Sequence, residues 1–177
     1  MLPIADGFTQ VAFEGTIAIP PWVIPPEPFQ KAAQESADPD RVAQYLGEFC
    51  YRHPTIADRL KQDPQRLRWL GLVSLQTRFL SEELLRHPAW IFQISQIDAP
   101  SSVADYRQRL SASAGISGQT PLSLAVFRRK ELLRILIRDG LGLSSLSDIT
   151  EEISNLADAI LAPDARLRRC IRHPTRP

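Results

Sequence analysis

Apolar residues recur every three or four positions over most of this 177-residue chain, most regularly between residues 122 and 161. This period is typical of an α-helix with one buried face. The first half of the stretch predicts a helix with an apolar stripe of Leu122, Val126, Leu133 and Ile137. Its charged residues Glu131, Arg134 and Arg138 stand three or four positions apart, so we expect them to pair along the polar, solvated side.

A second helix is predicted after the Asp139–Gly142 segment, because glycine readily adopts the left-handed conformation that ends a helix. Ser145 and Asp148 have the spacing of an N-terminal capping pair, and Pro163 ends the pattern. The expected buried stripe is Leu146, Ile149, Ile153, Leu156 and Ile160. Ile153→Asp should therefore destabilise the protein strongly, since it would bury an unpaired carboxylate.

The upstream sequence predicts further helices with polar or proline stops. One begins at Asp38, which can cap, and Pro39, which suits the first helical position. Shorter helical patterns follow at 55–62, 65–81, 84–94 and 103–110. The tripeptide Arg-His-Pro occurs at residues 52, 86 and 172 and is interpreted as a helix stop, because the residue before proline disfavours helical geometry.

The predicted fold is therefore all-α, an irregular multi-helix bundle with an extended proline-rich N-terminal arm. The arm is assigned to residues 1–37, because the prolines between Pro20 and Pro28 disfavour a helix there. We expect Trp22 and Phe29 to lie on the helical domain, which is assigned to residues 38–162. Residues 163–177 form a basic stretch that is expected to be disordered.

The composition is that of an ordinary soluble protein, with 44% hydrophobic and 23% charged residues. A net charge of +1 gives no reason to expect a nucleic acid or an acidic membrane as partner. No signal peptide or membrane-length apolar run is visible. Cys50 and Cys170 match no metal or disulfide spacing. The chain is therefore expected to be cytoplasmic, with reduced thiols.

Candidate chemistry is sparse, and the sequence predicts no catalytic residue and no metal ligand. Asp38 and Asp40 have the spacing of a magnesium dyad, but a helix start explains them better. The densest charged set is Arg128, Arg129, Lys130, Glu131, Arg134, Arg138 and Asp139. Arg128, Arg129, Arg134 and Arg138 are candidate contacts to phosphate or to a partner protein. A solvated helix face with internal ion pairs is the favoured interpretation.

The same charged run carries a family resemblance. Residues 128–139, the Leu141-Gly-Leu143 turn and residues 146–158 resemble the glutamine synthetase adenylyltransferase family, and Leu84-Leu-Arg-His-Pro88 is similar to a segment upstream. The resemblance implies a nucleotidyltransferase that attaches AMP to, or removes it from, a tyrosine of glutamine synthetase in nitrogen regulation. It further implies ATP and Mg²⁺ as cofactors of the full-length enzyme.

One departure from the family pattern limits what the chain is expected to do. The family's Ser-Asp-x-Asp carboxylates lie downstream of the matched stretch, and this sequence reaches Pro177 without them. We expect a truncated helical N-terminal portion that is inactive alone and holds no cofactor itself. Its expected partners are glutamine synthetase or a missing catalytic domain. The alternative is an independent helical protein-interaction module.

Overall fold

A computed structural model describes residues 25–114 and 120–161, and these residues form α-helices without a strand. The helices are α1 (Glu27–Gln34), α2 (Pro39–Arg52), α3 (Pro54–Leu60), α4 (Pro64–Gln76), α5 (Arg78–Arg86), α6 (Trp90–Gln93), α7 (Val103–Ala114), α8 (Pro121–Gly140) and α9 (Leu146–Leu161). The predicted all-α multi-helix fold is confirmed. Within the described ranges, no helix has both the length and the apolar character needed to cross a membrane.

The helix ends are set by local chemistry. Asp38 accepts a hydrogen bond from the Arg41 amide at 3.2 Å, as expected of an N-cap. In front of α9, the Ser145 amide donates to Asp148 at 2.9 Å and the Asp148 amide donates to the Ser145 hydroxyl at 3.2 Å. These hydrogen bonds hold the pKa of Asp148 below its ordinary value.

The Arg-His-Pro stops are confirmed at the two copies that lie in the described residues. His53 and His87 are the residues at which α2 and α5 end. His53 is additionally anchored by a 2.7 Å hydrogen bond between Nε2 and the Leu85 carbonyl. The third copy, at residues 172–174, lies outside the described residues.

Two predicted boundaries need correction. Part of the expected extended arm is helical, because α1 begins at Glu27 with prolines confined to its first turn, where they cost no hydrogen bond. Burial of Phe29 and Ala33 holds α1 on the other helices. The helix predicted over 65–81 is broken at Thr77, whose backbone is extended (φ −152°, ψ 124°). β-Branched residues are weak helix formers. Residues 1–24 and 162–177, which include Trp22 and the basic tail, lie outside the described residues.

Helix α8 is the element that joins the two apolar clusters of the core. Its Leu133 and Ile137 pack in the larger cluster with residues of α1–α6. Its Phe127 and Ile135 pack in a smaller cluster with Tyr106 of α7 and with Leu156 and Ala159 of α9. The two neighbours α7 and α9 therefore depend on α8 for their position.

Two glycines lie at the C-terminal end of α8, and the second one takes a conformation that favours glycine. A Cβ atom at Gly140 would lie too close to the ends of the Leu72 and Gln76 side chains, which would have to move to admit it. Gly142 has φ +68° and ends the helix. The Leu143 amide then donates to the Arg138 carbonyl at 3.0 Å, and the Gly142 amide to that of Asp139 at 2.9 Å. This Schellman arrangement confirms the predicted stop.

The buried face of α9 differs from the predicted stripe. Leu146 and Ile153 are 83% and 44% exposed, whereas Glu152, Leu156 and Ala159 are buried. The expectation that Ile153 lies in the core is therefore wrong. The helix is rotated because Glu152 faces the interior, where α8 supplies its partners.

Candidate functional site

A buried carboxylate stands where α7, α8 and α9 meet. Glu152 is 1% exposed. One of its oxygens accepts hydrogen bonds from the Ser101 amide at 2.7 Å and the Tyr106 hydroxyl at 3.3 Å. The same oxygen pairs with the Arg134 guanidinium, and the Nη1 of Arg138 lies 3.6 Å from the other oxygen. Glu152 thus connects α9 to α7, to α8 and to the segment before α7.

A second carboxylate extends this arrangement along α8. Glu131 accepts two hydrogen bonds from Arg109 of α7, at 3.0 and 3.2 Å, and one from Arg134 at 3.1 Å. Arg109 also donates to the Ser101 hydroxyl at 2.9 Å and to the Gln96 side chain at 3.0 Å. We call the five charged residues Arg109, Glu131, Arg134, Arg138 and Glu152 the ion cluster.

Arg134 stays charged in the ion cluster although its side chain is buried. Burial alone would lower the pKa of Arg134, but hydrogen bonds and charges from Glu152, Tyr106 and Glu131 outweigh it, so the pKa is raised. Burial also raises the pKa of Tyr106 to about 12, so its hydroxyl stays protonated and donates to Glu152. A charged Arg134 and a protonated Tyr106 hydroxyl both suit donation to Glu152.

The connector between α8 and α9 is fastened to the same cluster. Arg138, which is 1% exposed, donates from Nη2 to the Ser144 hydroxyl at 2.6 Å. Among the described residues, the Nε and Nη1 of Arg138 and the Oε2 of Glu152 make no hydrogen bond. The ion pair between these two side chains is therefore purely electrostatic, which makes each depend on the other for charge compensation.

The four arginines predicted as contacts to phosphate or to a partner lie in different surroundings in the structure. Arg134 and Arg138 lie in the ion cluster, so the prediction of a solvated face is wrong for them and for Glu131. Arg129 donates to Glu83 at 3.2 Å and lies 5.9 Å over the Phe79 ring. Arg128 is exposed. The four side chains therefore do not form one binding surface.

Glu152 is the residue that the sequence reasoning missed. Its place near the N-terminal end of α9 has an ordinary explanation, because the helix dipole favours acidic side chains there. The available signal was a pair of arginines, Arg134 and Arg138, one helical turn apart on the preceding helix. Two such cations on one face favour a carboxylate on the antiparallel neighbour.

The ion pairs of this site hold helices together. Both carboxylates are engaged by guanidinium groups, which compete directly with a metal ion for the same oxygens. No group of three or more His, Cys, Asp or Glu side chains suited to a metal ion occurs among the residues that the structure describes. The arrangement binds α7, α8 and α9 to one another, and a cavity of about 380 Å³ lies beside it, lined in part by Arg109, Glu131 and Arg134.

Comparison with known proteins places these helices in a family. The family model described as glutamate-ammonia ligase adenylyltransferase matches residues 67–176, which include α5 to α9 and the whole ion cluster. The bifunctional glutamine synthetase adenylyltransferase/adenylyl-removing enzyme of Shewanella loihica is 29% identical over 113 residues, covering 61% of this chain and 12% of that enzyme. The enzyme of the same name from Ralstonia nicotianae is 24% identical over 139 residues, covering 73% of this chain and 15% of that enzyme. The chain thus spans less than one sixth of these relatives. No solved structure matches it.

Proposed function

Since the chain belongs to the glutamate-ammonia ligase adenylyltransferase family, we propose that it is a helical, non-catalytic portion of an enzyme that regulates glutamine synthetase. The parent enzyme would attach AMP to, or remove it from, a tyrosine of glutamine synthetase in the cytoplasm. This chain would contribute a rigid helical support. The ATP and Mg²⁺ of the parent reaction would be held by residues outside the chain.

The ion cluster is the observation that carries this proposal. It lies wholly within the part of the chain that matches the family, and it uses the charged residues of α8 to lock α7 and α9 in place. Nucleotidyl transfer requires carboxylate oxygens free to hold Mg²⁺ and cations free to meet phosphate. In this cluster, Glu131 and Glu152 are engaged by arginines and the arginines by carboxylates. Support of a neighbouring catalytic unit fits these contacts better than catalysis.

The exposed part of the arginine-rich helix has a different proposed role. Arg128 is exposed and Arg129 is half-buried against α5, so both are placed for contact with a protein surface. We assign them to the contact with glutamine synthetase or with the catalytic domain. Arg134 and Arg138 are assigned to the ion cluster alone.

Calorimetric titration of the purified chain with MgATP tests the proposal. The expected result is no saturable binding up to millimolar nucleotide, with the full-length Shewanella loihica enzyme as the positive control. A micromolar dissociation constant that is lost in Arg134→Met or Arg138→Met, with helicity unchanged by circular dichroism, would contradict it. Those arginines would then serve nucleotide and not the cluster.

An independent interaction module is the second candidate function. It would bind a partner unrelated to the family and would show no affinity for glutamine synthetase or for the remainder of an adenylyltransferase. Purification of the chain over immobilised glutamine synthetase, compared with an immobilised unrelated protein, separates the two functions.

A further inference from the structure

The solvent-facing side of α9 carries large apolar side chains that nothing in the described residues covers. Leu146, Ile153 and Leu161 are 83%, 44% and 75% exposed. We call these three residues the outer face of α9. We infer that this face docks on the remainder of an adenylyltransferase of this family, an inference that rests on the proposed function. The partner surface would have an apolar ridge flanked by basic side chains.

The outer face follows from the way the ion cluster orients α9. The apolar residues at 146, 149, 153, 156 and 160 have the 3–4–3–4 spacing of a helix with one buried stripe. Glu152 points inward to meet Arg134. This orientation of α9 places part of the apolar stripe away from the contact with α7 and α8. Leu156 remains inside, while Leu146 and Ile153 face outward. The apolar stripe is thus wider than the surface that α7 and α8 cover.

The exposed apolar side chains of the described residues are concentrated in this region. Seven large apolar residues are exposed, and five of them lie on α8, α9 or their connector: Leu122, Leu143, Leu146, Ile153 and Leu161. Scattered exposed apolar residues are normal, but a concentration of them marks an interaction surface. The two others, Tyr51 and Phe79, lie on α2 and α5, and Tyr51 serves below as a reference.

The charges on α9 indicate the chemistry of the partner. The helix contains four acidic residues and no basic one. Three of the acids, Asp148, Glu151 and Asp158, are exposed. Glu151 lines the same surface groove as Leu146, so two copies of this face would bring these acids towards each other, which disfavours a second copy as occupant. A surface with Lys or Arg beside apolar residues would complement it.

The comparisons indicate where such a surface is found. The family match runs through the whole of α9 to residue 176, so this helix belongs to the family sequence. The matched stretch amounts to 12% and 15% of the two relatives. Most of the surface that could cover α9 in a relative therefore lies outside the aligned stretch.

Binding in trans tests the inference. The probe is the Shewanella loihica enzyme from which the 113 residues aligned with this chain have been deleted, and the ligand is the full chain. We expect Leu146→Asp and Ile153→Asp each to raise the dissociation constant at least tenfold. Tyr51→Asp is the matched control, since Tyr51 is 55% exposed on α2, and it should leave the constant within twofold. Thermal melts of each variant confirm that the fold is kept.

Each outcome of this binding measurement supports or overturns the proposed docking surface. A complex that is insensitive to Leu146→Asp and Ile153→Asp would overturn the docking surface while leaving the proposed function intact. Absence of a complex with the probe would overturn the inference, whereas the MgATP titration would still stand as the separate test of the function. A dimer of the chain alone that sediments as such and is dissociated by Ile153→Asp would overturn it in favour of a second copy.

Discussion

Replacement of Glu152 by alanine should be one of the most destabilising single changes in the protein. Glu152 is 1% exposed and compensates two arginines that are themselves 4% and 1% exposed. Among the described residues, its loss would leave Arg138 without a carboxylate partner and Arg134 with Glu131 alone. It would also leave the Ser101 amide and the Tyr106 hydroxyl without their acceptor.

The expected magnitude follows from the cost of a buried charge that loses its partner. Breaking a buried ion pair by removal of one member typically costs about 3–5 kcal/mol of unfolding free energy. A domain of this size has roughly 5–15 kcal/mol in total, so Glu152→Ala should remove about a fifth or more of it. Glu152→Gln keeps an acceptor oxygen but loses the charge, and its cost should be about 1.5–3 kcal/mol.

Urea denaturation followed by circular dichroism measures both changes. Glu151→Ala is the matched control, because it removes an exposed carboxylate from the adjacent position of the same helix and should change stability by less than about 0.5 kcal/mol. Adding Arg134→Met to Glu152→Ala should cost less than the sum of the two single changes, by about 1 kcal/mol or more. A loss below about 1 kcal/mol for Glu152→Ala, equal to that of Glu151→Ala, would refute the reasoning.

Three further predictions follow from burial and from raised pKa values. Burial raises the pKa of Tyr106 to about 12 from its ordinary 10.0, so the stability that its protonated hydroxyl contributes is present below pH 10 and is lost as the pH rises toward 12. Denaturation at pH 8–11.5 should show that the unfolding free energy falls more steeply for the wild type than for Tyr106→Phe. Parallel curves would contradict this. Burial raises the pKa of the Cys50 thiol to about 12. In a Cys170→Ser variant at pH 8, the disulfide reagent DTNB should therefore react with Cys50 at least about tenfold more slowly than it reacts with the thiol of free glutathione. An equal rate would show an accessible thiolate. Leu156→Ala should cost about 2–5 kcal/mol, whereas Ile153→Asp should cost less than about 1 kcal/mol; thermal melts that reverse this order would show that α9 has the opposite orientation.

The sequence predicted those parts of the fold that are determined locally. The Asp38 cap, the Ser145–Asp148 pair and the glycine stop depend on residues within one helical turn, so their pattern can be recognised without knowledge of the neighbours. The helical nature of most segments follows in the same way from the period of apolar residues. These features set where helices begin and end.

The orientation of α9 could not be read from its own sequence. A helical period identifies a stripe, but the side of the stripe that is buried depends on the residues across the interface. Here Arg134 and Arg138 hold Glu152 inside, and in this orientation of α9 Ile153 is exposed instead of buried. The same long-range pairing explains why two of the four candidate arginines proved to be interior residues. Arg128 and Arg129 remain predicted contacts to a partner.

Transfer of radiolabelled AMP to glutamine synthetase tests the central claim most directly. The purified chain is incubated with glutamine synthetase, Mg²⁺ and ATP labelled in the α-phosphate, and the full-length Shewanella loihica enzyme serves as the positive control. A helical support that holds neither nucleotide nor metal should leave glutamine synthetase unlabelled, and it should release no AMP from glutamine synthetase labelled beforehand. Label that appears with this chain and disappears when Asp38 and Asp40 are both changed to Asn would contradict the account, because the helix start would then be a catalytic metal site.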